Sequence, residues 1–485
     1  MWFKIRCSLR TAVLRQHGRI RFLSQTTEYP TLGMVGHTEG IEVVRPVRGT
    51  QDRFGNENAK FEHLRKIGCC VAELHCFEQI SIPVLEFSRV FERTLGQDSD
   101  IVGKELYSFV NKDEHLTLRP EGTAGIVRAL LSNNRDRELP QRYYYHGPMF
   151  RHEKPQKGRL RQFEQFGIEM FGHETPTSDI EVIDLAWSFL NKIRLSGTFE
   201  LEINSLADME SRLRYRNVVR DYLRQNESQL SEDSVKRIST NPLRVLDSKN
   251  QKDVLVVQNC PLITEYYSPE SAERFDIVCQ GLQRLGIPYK INPRLVRGLD
   301  YYENTIFEFK CDHPHLGASQ GTILAGGRYD GLVQSMGGKE KIPGIGWAAG
   351  IDRLALILDE TFALPKERPV AVIVIQSRDE SSSDDTDNLS TLDYHGLNIS
   401  KSLRSHDIKT LFYHAPSSAR KSKLKTSLGS VLKANASHAI LVGEDEVGRG
   451  EVTVKYLDSK IQKDVKIDDI VNVIIESKSG NKEAA

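Results

Sequence analysis

The stretch from Phe150 to Gln165 constrains this chain more than any other. Five cations, Arg151, Lys154, Lys157, Arg159 and Arg161, crowd between two strand-length runs, Tyr143–Met149 and Gln162–Phe171. Read as strands joined by the basic loop 152–161, the runs point to antiparallel pairing beside helices. That is α+β layering rather than βαβ winding. The surrounding text agrees. Phe61, Leu64, Ile67, Val71, Leu74 and Phe77 recur every three to four residues, so the spacing predicts an amphipathic helix over 57–79. Ile80–Glu86 alternates like a strand, but Pro83 removes a ladder donor and confines it to an edge or interface. Leu116–Thr123 reads as a strand whose closing turn opens an apolar helix.

Past this region the texture changes. Residues 208–280 are polar, helical in pattern and poor in glycine, which predicts an inserted helical module. Strand signals return over Arg294–Lys310 and Thr322–Gly327, followed by Pro343–Leu358, and the chain breaks at Leu364-Pro-Lys-Glu-Arg-Pro369. The apolar run Val370–Ile375 then opens helix and strand alternation to Ile475, a small α/β domain with a largely parallel sheet. The expected organisation is a leader over 1–27, an α+β domain with an antiparallel sheet in two parts (28–207 and 281–362), the helical insertion over 208–280, and the α/β domain over 369–485. The Ser/Asp-rich segment Ser377–Asp393 reads as a surface loop and Lys478–Ala485 as a frayed tail.

Charge isolates the leader. The chain has 66 bases and 66 acids, yet residues 1–27 hold Lys4, Arg6, Arg10, Arg15, Arg19 and Arg21 and no acid. A basic, acid-free, Ser/Thr-bearing start with interspersed apolar residues is the composition of a mitochondrial transit peptide. A disordered basic arm that binds nucleic acid is the other reading. Processing is expected shortly after Arg21, and Met34 offers a second start for a cytoplasmic form. No apolar run reaches membrane-helix length. Of seven cysteines, Cys69, Cys70 and Cys76 cluster, but without C-x-x-C spacing they read as packing residues rather than metal ligands.

The basic loop is either a solvated charge run or a phosphate site. Arg151 at a strand end can aim its guanidinium, and Phe163 offers a ring on which a base can stack. Gly344–Leu358 adds closely spaced glycines before an apolar helix carrying Arg353. It lacks both the dinucleotide fingerprint and a Walker sequence.

These segments together resemble the class II aminoacyl-tRNA synthetases. The basic hairpin is similar to their motif 2, Gly344–Leu358 to motif 3, and the Pro83 strand, more weakly, to motif 1. Leu295-Val-Arg-Gly-Leu-Asp-Tyr-Tyr302 resembles the histidine signature of histidyl-tRNA synthetases. Leu116-Thr-Leu-Arg-Pro-Glu-Gly-Thr123 and Ala325-Gly-Gly-Arg-Tyr-Asp-Gly331 are similar to segments of the same family. The likeness covers roughly residues 43–475.

The resemblance implies a bacterial-type, homodimeric enzyme that joins L-histidine to ATP, with Mg2+ as counter-charge, and then to tRNA(His). It implies that Arg151 and Arg297 grip the α-phosphate and the substrate carboxylate, Arg297 standing where related enzymes rely more on metal. Arg353 and Arg159 would hold the γ-phosphate. Phe163 would stack under adenine with Arg353 above, and Glu153 would read the exocyclic amine. Glu121, Gly122, Thr123 and Gln165 would surround the ammonium, Glu169 and Tyr302 would meet the imidazole nitrogens, and Tyr301 and Tyr329 would wall the pocket. For Glu121 and Glu169 the plain alternative is an ion pair with a nearby arginine. Lys154, Gln156 and Lys157 resemble the loop that meets the extra 5′ nucleotide of histidine tRNA, with Lys154 where bacterial members commonly carry Arg. The C-terminal domain resembles an anticodon-binding module, and Arg420-Lys-Ser-Lys-Leu-Lys425 adds a basic patch. A regulatory paralogue without catalysis shares the fold, but would erode Arg151, Arg297 or the Arg119–Thr123 segment.

Overall fold

The computed structural model describes residues 43–95, 101–195, 197–297, 301–316, 321–358, 368–375, 390–413 and 423–480. The leader, most of Ser377–Asp393, the start of the Arg420–Lys425 patch and the end of the tail lie outside the described residues. Ser390 caps helix Thr391–Ser405, and helix Ile470–Gly480 runs through Lys478.

Counted along the chain, β1 (Glu78–Gln79) enters a large sheet, and β2 (Leu85–Phe87), β3 (Tyr107–Asn111) and β4 (Glu114–Leu118) form a small sheet of order β2-β4-β3. β5 (Gln141–Phe150), β6 (Gln162–Phe171), β7 (Phe199–Ser205), β8 (Lys290–Ile291), β9 (Glu303–Cys311), β10 (Thr322–Arg328) and β11 (Gly344–Gly350) complete the large sheet. Its order is β1-β5-β6-β11-β10-β9-β7-β8, antiparallel except where β1 meets β5 and β7 meets β8. The hairpin is present as read, with β5 and β6 in register from Gln141 opposite Phe171 to Phe150 opposite Gln162. The strand expected over Ile80–Glu86 is instead divided. Residues 78–79 pair with β5, and 85–87 pair with β4 in the other sheet. Pro83 sits at the crossing, where no ladder donor is required.

One face of the large sheet is covered by the helix Asn56–Leu74, shorter than the predicted 57–79, together with helices Pro176–Lys192 and Ile351–Leu356. Leu64, Phe166, Phe189, Trp347 and Leu354 fill this layer. Of the three clustered cysteines only Cys69 packs, half-buried. Cys70 and Cys76 are exposed, because they fall on the solvent side of the helix and just beyond its end. Helix Pro269–Arg284 joins the same layer through Phe275, Val278 and Leu282. The insertion therefore ends, as a packing unit, before this helix rather than at 280. Its remaining helices pack Tyr215, Val219 and Leu223 into the opposite core with Tyr143, Tyr145 and Tyr329.

The C-terminal domain has its own sheet: β12 (Val370–Val374), β13 (Thr410–Tyr413), β14 (His438–Val442), β15 (Glu451–Tyr456) and β16 (Gln462–Lys466), in the order β13-β12-β14-β15-β16. The sheet is mixed rather than largely parallel. Three strands run parallel, while β15 lies antiparallel to β14 and β16 antiparallel to β15, the last two joined by a short turn. No helix among the described residues is long and apolar enough to cross a membrane.

Candidate functional site

Strand alternation builds the site. On β6 the even positions Phe166, Ile168 and Met170 enter the helix-covered core, so Phe163, Gln165, Gly167 and Glu169 face the other way. β9 repeats the pattern, with Phe307 and Phe309 in the core and Glu308 and Lys310 on the site face. Between them β11 contributes glycine opposite each polar β6 residue: Gly346 faces Glu169 and Gly350 faces Gln165. A Cβ at Gly346 would collide with Glu169 Oε2, so the strand must lack a side chain there.

The resulting cavity, about 1170 Å³, is lined by Glu121, Thr123, Arg151, Glu153, Gln156, Arg159, Phe163, Gln165, Arg297, Tyr301, Tyr302 and Arg353, among others. Glu169 and Tyr329 lie buried behind Thr123. Gly122 lies beside them, pressed so closely on Tyr145 that a Cβ there would overlap the ring. Lys154 and Lys157 are exposed on the hairpin tip and do not line the cavity.

At the inner end, Thr123 Oγ1 donates to Glu169 Oε1 at 2.6 Å and Tyr329 OH donates to Oε2. Glu169 therefore has hydroxyl partners where the plain reading supplied an arginine. Burial pushes its carboxyl up to about 8 against those two donors. Glu121 differs again: its oxygens accept the amides of Thr123 at 2.7 Å and Ala124 at 2.8 Å, capping helix Thr123–Ser132. Tyr301, Tyr302 and Tyr329 pack edge-on or tilted, with centroids 4.6–6.4 Å apart. Tyr329 is fixed from behind by its neighbour Arg328, which is fully buried and donates to Asp179, Asp330 and Ser178. Among the described residues, Gln165 Oε1 and Arg297 Nε are buried with no hydrogen-bond partner. Gln165 and Arg297 line the cavity, so polar atoms await a polar ligand there.

At the outer end four guanidiniums meet. Arg151 Nε donates to Pro120 O at 2.9 Å and its guanidinium lies over the Phe163 ring at 5.3 Å. Arg353 is held by Gly158 O at 3.2 Å and Thr322 O, and its pKa is lowered by burial and by the nearby Arg159. Arg159 pairs with Glu153. Arg297 pairs with Glu308; burial lowers the guanidinium's pKa, but Glu308 together with Tyr302 and Tyr301 raises it overall. Of the four guanidiniums, Arg159 and Arg297 are paired with carboxylates and Arg353 is held by carbonyls, so an anion entering the cavity meets a cluster of fixed cations.

Sequence reasoning missed Glu308 and Thr322, which donates to Glu308 Oε2 at 2.9 Å and so completes the cradle of Arg297. It also missed Tyr145, at 1% exposure beneath the pocket. The period-two signal was available for both: Glu308 between Phe307 and Phe309, and Tyr145 opposite in facing to Tyr144.

Residues 49–354 match the family model described as histidyl-tRNA synthetase, and residues 370–477 the one described as anticodon binding domain. Histidine–tRNA ligase of Gluconobacter oxydans is 40% identical over 432 residues, 89% of this chain and 98% of the relative. That of Gluconacetobacter diazotrophicus is 41% identical over 426 residues, 88% and 97% of the two chains. The crystal structure of apo Staphylococcus aureus histidyl-tRNA synthetase superimposes with a TM-score of 0.71 at 27% identity, covering 89% of this chain and 99% of that one.

Proposed function

The chain belongs to the histidyl-tRNA synthetase family, and from that premise we propose that it ligates L-histidine to tRNA(His) through a histidyl-adenylate, for mitochondrial translation. One observation carries the reading: Arg151, Arg297 and Arg353 open into one cavity beside a pocket of paired hydroxyls and a carboxyl.

Histidine's carboxylate is already ionised and needs no base. Its oxygen attacks the α-phosphorus of ATP, the bond to the β-phosphate oxygen breaks, and pyrophosphate leaves. Charge spreads over phosphate oxygens, so positioning and cations supply the acceleration. Arg151 and Arg297 bind the α-phosphate and the carboxylate, and Arg353 with Arg159 binds the γ-phosphate. Phe163 carries the adenine ring and Glu153 reads its amine. ATP enters as its magnesium complex, the ion being part of the substrate. Glu121, Gly122, Thr123 and Gln165 surround the ammonium. Glu169, which already accepts from two hydroxyls, keeps acceptor capacity for an imidazole N–H, with Tyr302 at the other nitrogen and Tyr301 and Tyr329 as walls. An apolar competitor would leave these groups unpaired.

In the second step a hydroxyl of the tRNA's terminal ribose attacks the adenylate carbonyl and AMP leaves. The exposed Lys154, Gln156 and Lys157 meet the 5′ end of the acceptor, and the C-terminal domain meets the anticodon. Homodimer formation is supported by the small sheet, where the rows Leu85–Leu118–Tyr107 and Phe87–Leu116–Phe109 leave Leu85, Phe87 and Phe109 40–46% exposed. Import is supported by the acid-free basic residues 1–27. Their deletion should leave catalysis intact and the protein in the cytosol.

Histidine-dependent ATP–pyrophosphate exchange tests the proposal. Exchange with histidine and no other amino acid is the expected result. No exchange at saturating ATP would instead favour a regulatory paralogue.

A further inference from the structure

Residues 48–53 form a strap on the outside of the site that the reaction as described does not use. Gly49 O accepts Arg161 N at 2.7 Å and Gln162 N at 3.3 Å, closing over the base of the basic hairpin. Gly49 has φ +88°, and a Cβ there would lie 2.8 Å from Arg161 Cγ, so the close approach requires glycine. Four residues on, Arg53 lays its guanidinium 3.8 Å from the Phe61 ring centroid. From there it donates to Asp352 Oδ1 at 3.0 Å and lies 3.8 Å from Glu164 Oε1. The other oxygen of Asp352 accepts Glu164 N at 2.6 Å. The Arg53 side chain is 16% exposed and that of Asp352 7%.

The chain neighbours of these partners are the nucleotide-facing groups. Glu164 lies between Phe163 and Gln165 on β6, and Asp352 immediately precedes Arg353 at the start of its helix. Both carboxylates face Arg53, while Phe163, Asp352 and Arg353 border the cavity. β6 and the helix Ile351–Leu356 have no covalent link nearer than β11 and almost two hundred residues of chain. Pairing of β11 with β6 as far as Gly350 opposite Gln165 brings the two together. The Glu164 N–Asp352 bond ties the aromatic platform to the residue before Arg353, and Arg53 fixes the carboxylate that accepts that bond.

We propose that Arg53 is a positioning residue for ATP, holding Phe163 and Arg353 in mutual register through Asp352 and Glu164 without touching substrate. This rests on the nucleotide assignment made above. The Glu169 carboxyl of the inner pocket is held by Thr123 and Tyr329 rather than by the bridge, and Gln165 is the histidine-site residue next to it in the chain, so histidine binding should respond less than ATP binding.

The test is calorimetric binding of ATP and of histidine, each alone, to the full chain, followed by exchange kinetics. Arg53→Gln should weaken ATP binding and raise the KM for ATP by about tenfold while the histidine constants stay within about twofold. Arg53→Lys, which keeps the charge but loses the fork, should fall between that variant and wild type. If Arg53→Gln does not fold, Arg53→Lys decides alone, with an expected ATP effect of about threefold. Equal weakening of both ligands, or no change in ATP binding, overturns the proposal. A wild-type chain that binds ATP and histidine yet exchanges nothing would defeat the ligase reading while leaving the strap to be judged on binding.

Discussion

The two large sheets of this molecule handle charge in opposite ways. Among the described buried residues of the C-terminal domain the polar ones are Ser400, Ser427, His438 and Thr453, with no carboxylate or guanidinium. Its strands are filled by Val370, Val372, Ile440, Val442 and Val454. The eight-stranded sheet and its loops bury Arg119, Glu121, Glu169, Asp179, Glu308, Arg328, Asp330 and Asp352. Moving such groups out of water is costly unless each is paired or bonded. Most of these are: Arg328 with Asp179 and Asp330, Glu121 with two amides, Asp352 with Arg53. A domain that only has to present a surface fills its interior with aliphatic side chains. One that has to hold a triphosphate and a zwitterion carries charge inward and surrounds it with supports.

That contrast can be broken in four places. The largest effect is expected at Arg297. Arg297→Ala should reduce exchange by about a thousandfold or more, as for loss of a preorganised group at developing charge, with anticodon-domain unfolding and tRNA binding unchanged. Wild-type rates would show that its role is misassigned. Next is the support behind Tyr329. Arg328→Met leaves buried Asp330 without its guanidinium and Asp179 with Arg274 alone, and denaturant unfolding should register a loss of about 3 kcal/mol. A neutral result would mean that the buried network is dispensable.

Third is pH. Glu169 holds its proton up to about 8 in the folded chain against an ordinary value of 4.5. Between those values the folded state carries a proton that the unfolded state lacks, so stability falls as pH rises through this window. Glu169→Gln should remove that share of the slope, at most about 1.4 kcal/mol per pH unit. Unchanged slopes in thermal unfolding from pH 5 to 8 would contradict the assignment. The smallest effect belongs to the aliphatic sheet. Ile440→Val should cost about 1 kcal/mol in unfolding and leave exchange as it was. A fall in exchange would mean that the two regions are coupled.

The same contrast explains what could be read from the sequence. Val370–Ile375 announces a buried strand by composition alone, and the hairpin of β5 and β6 follows from two runs around a basic loop. The division of 78–87 between two sheets was not legible, because Pro83 forbids a ladder donor without saying which sheet each side joins. The end of the insertion escaped for a related reason. Helix Pro269–Arg284 has the same polar, amphipathic pattern as its predecessors, and only the partner of its apolar stripe distinguishes it. In the site, residues named by the histidine signature and the hairpin came from resemblance. Glu308 and Tyr145 carry only the period-two signal of their strands, which gives the face and not what that face meets, while Thr322 and Arg53 act through geometry between segments distant in sequence that no local pattern marks.

The central claim is convergence on one nucleotide. Its most direct test is a crystal structure of the protein with histidine and a non-hydrolysable ATP analogue. The account predicts one triphosphate within hydrogen-bond reach of Arg151, Arg297 and Arg353, with an imidazole between Glu169 and Tyr302. A nucleotide bound elsewhere, or guanidiniums left on separate ligands or in solvent, would contradict it.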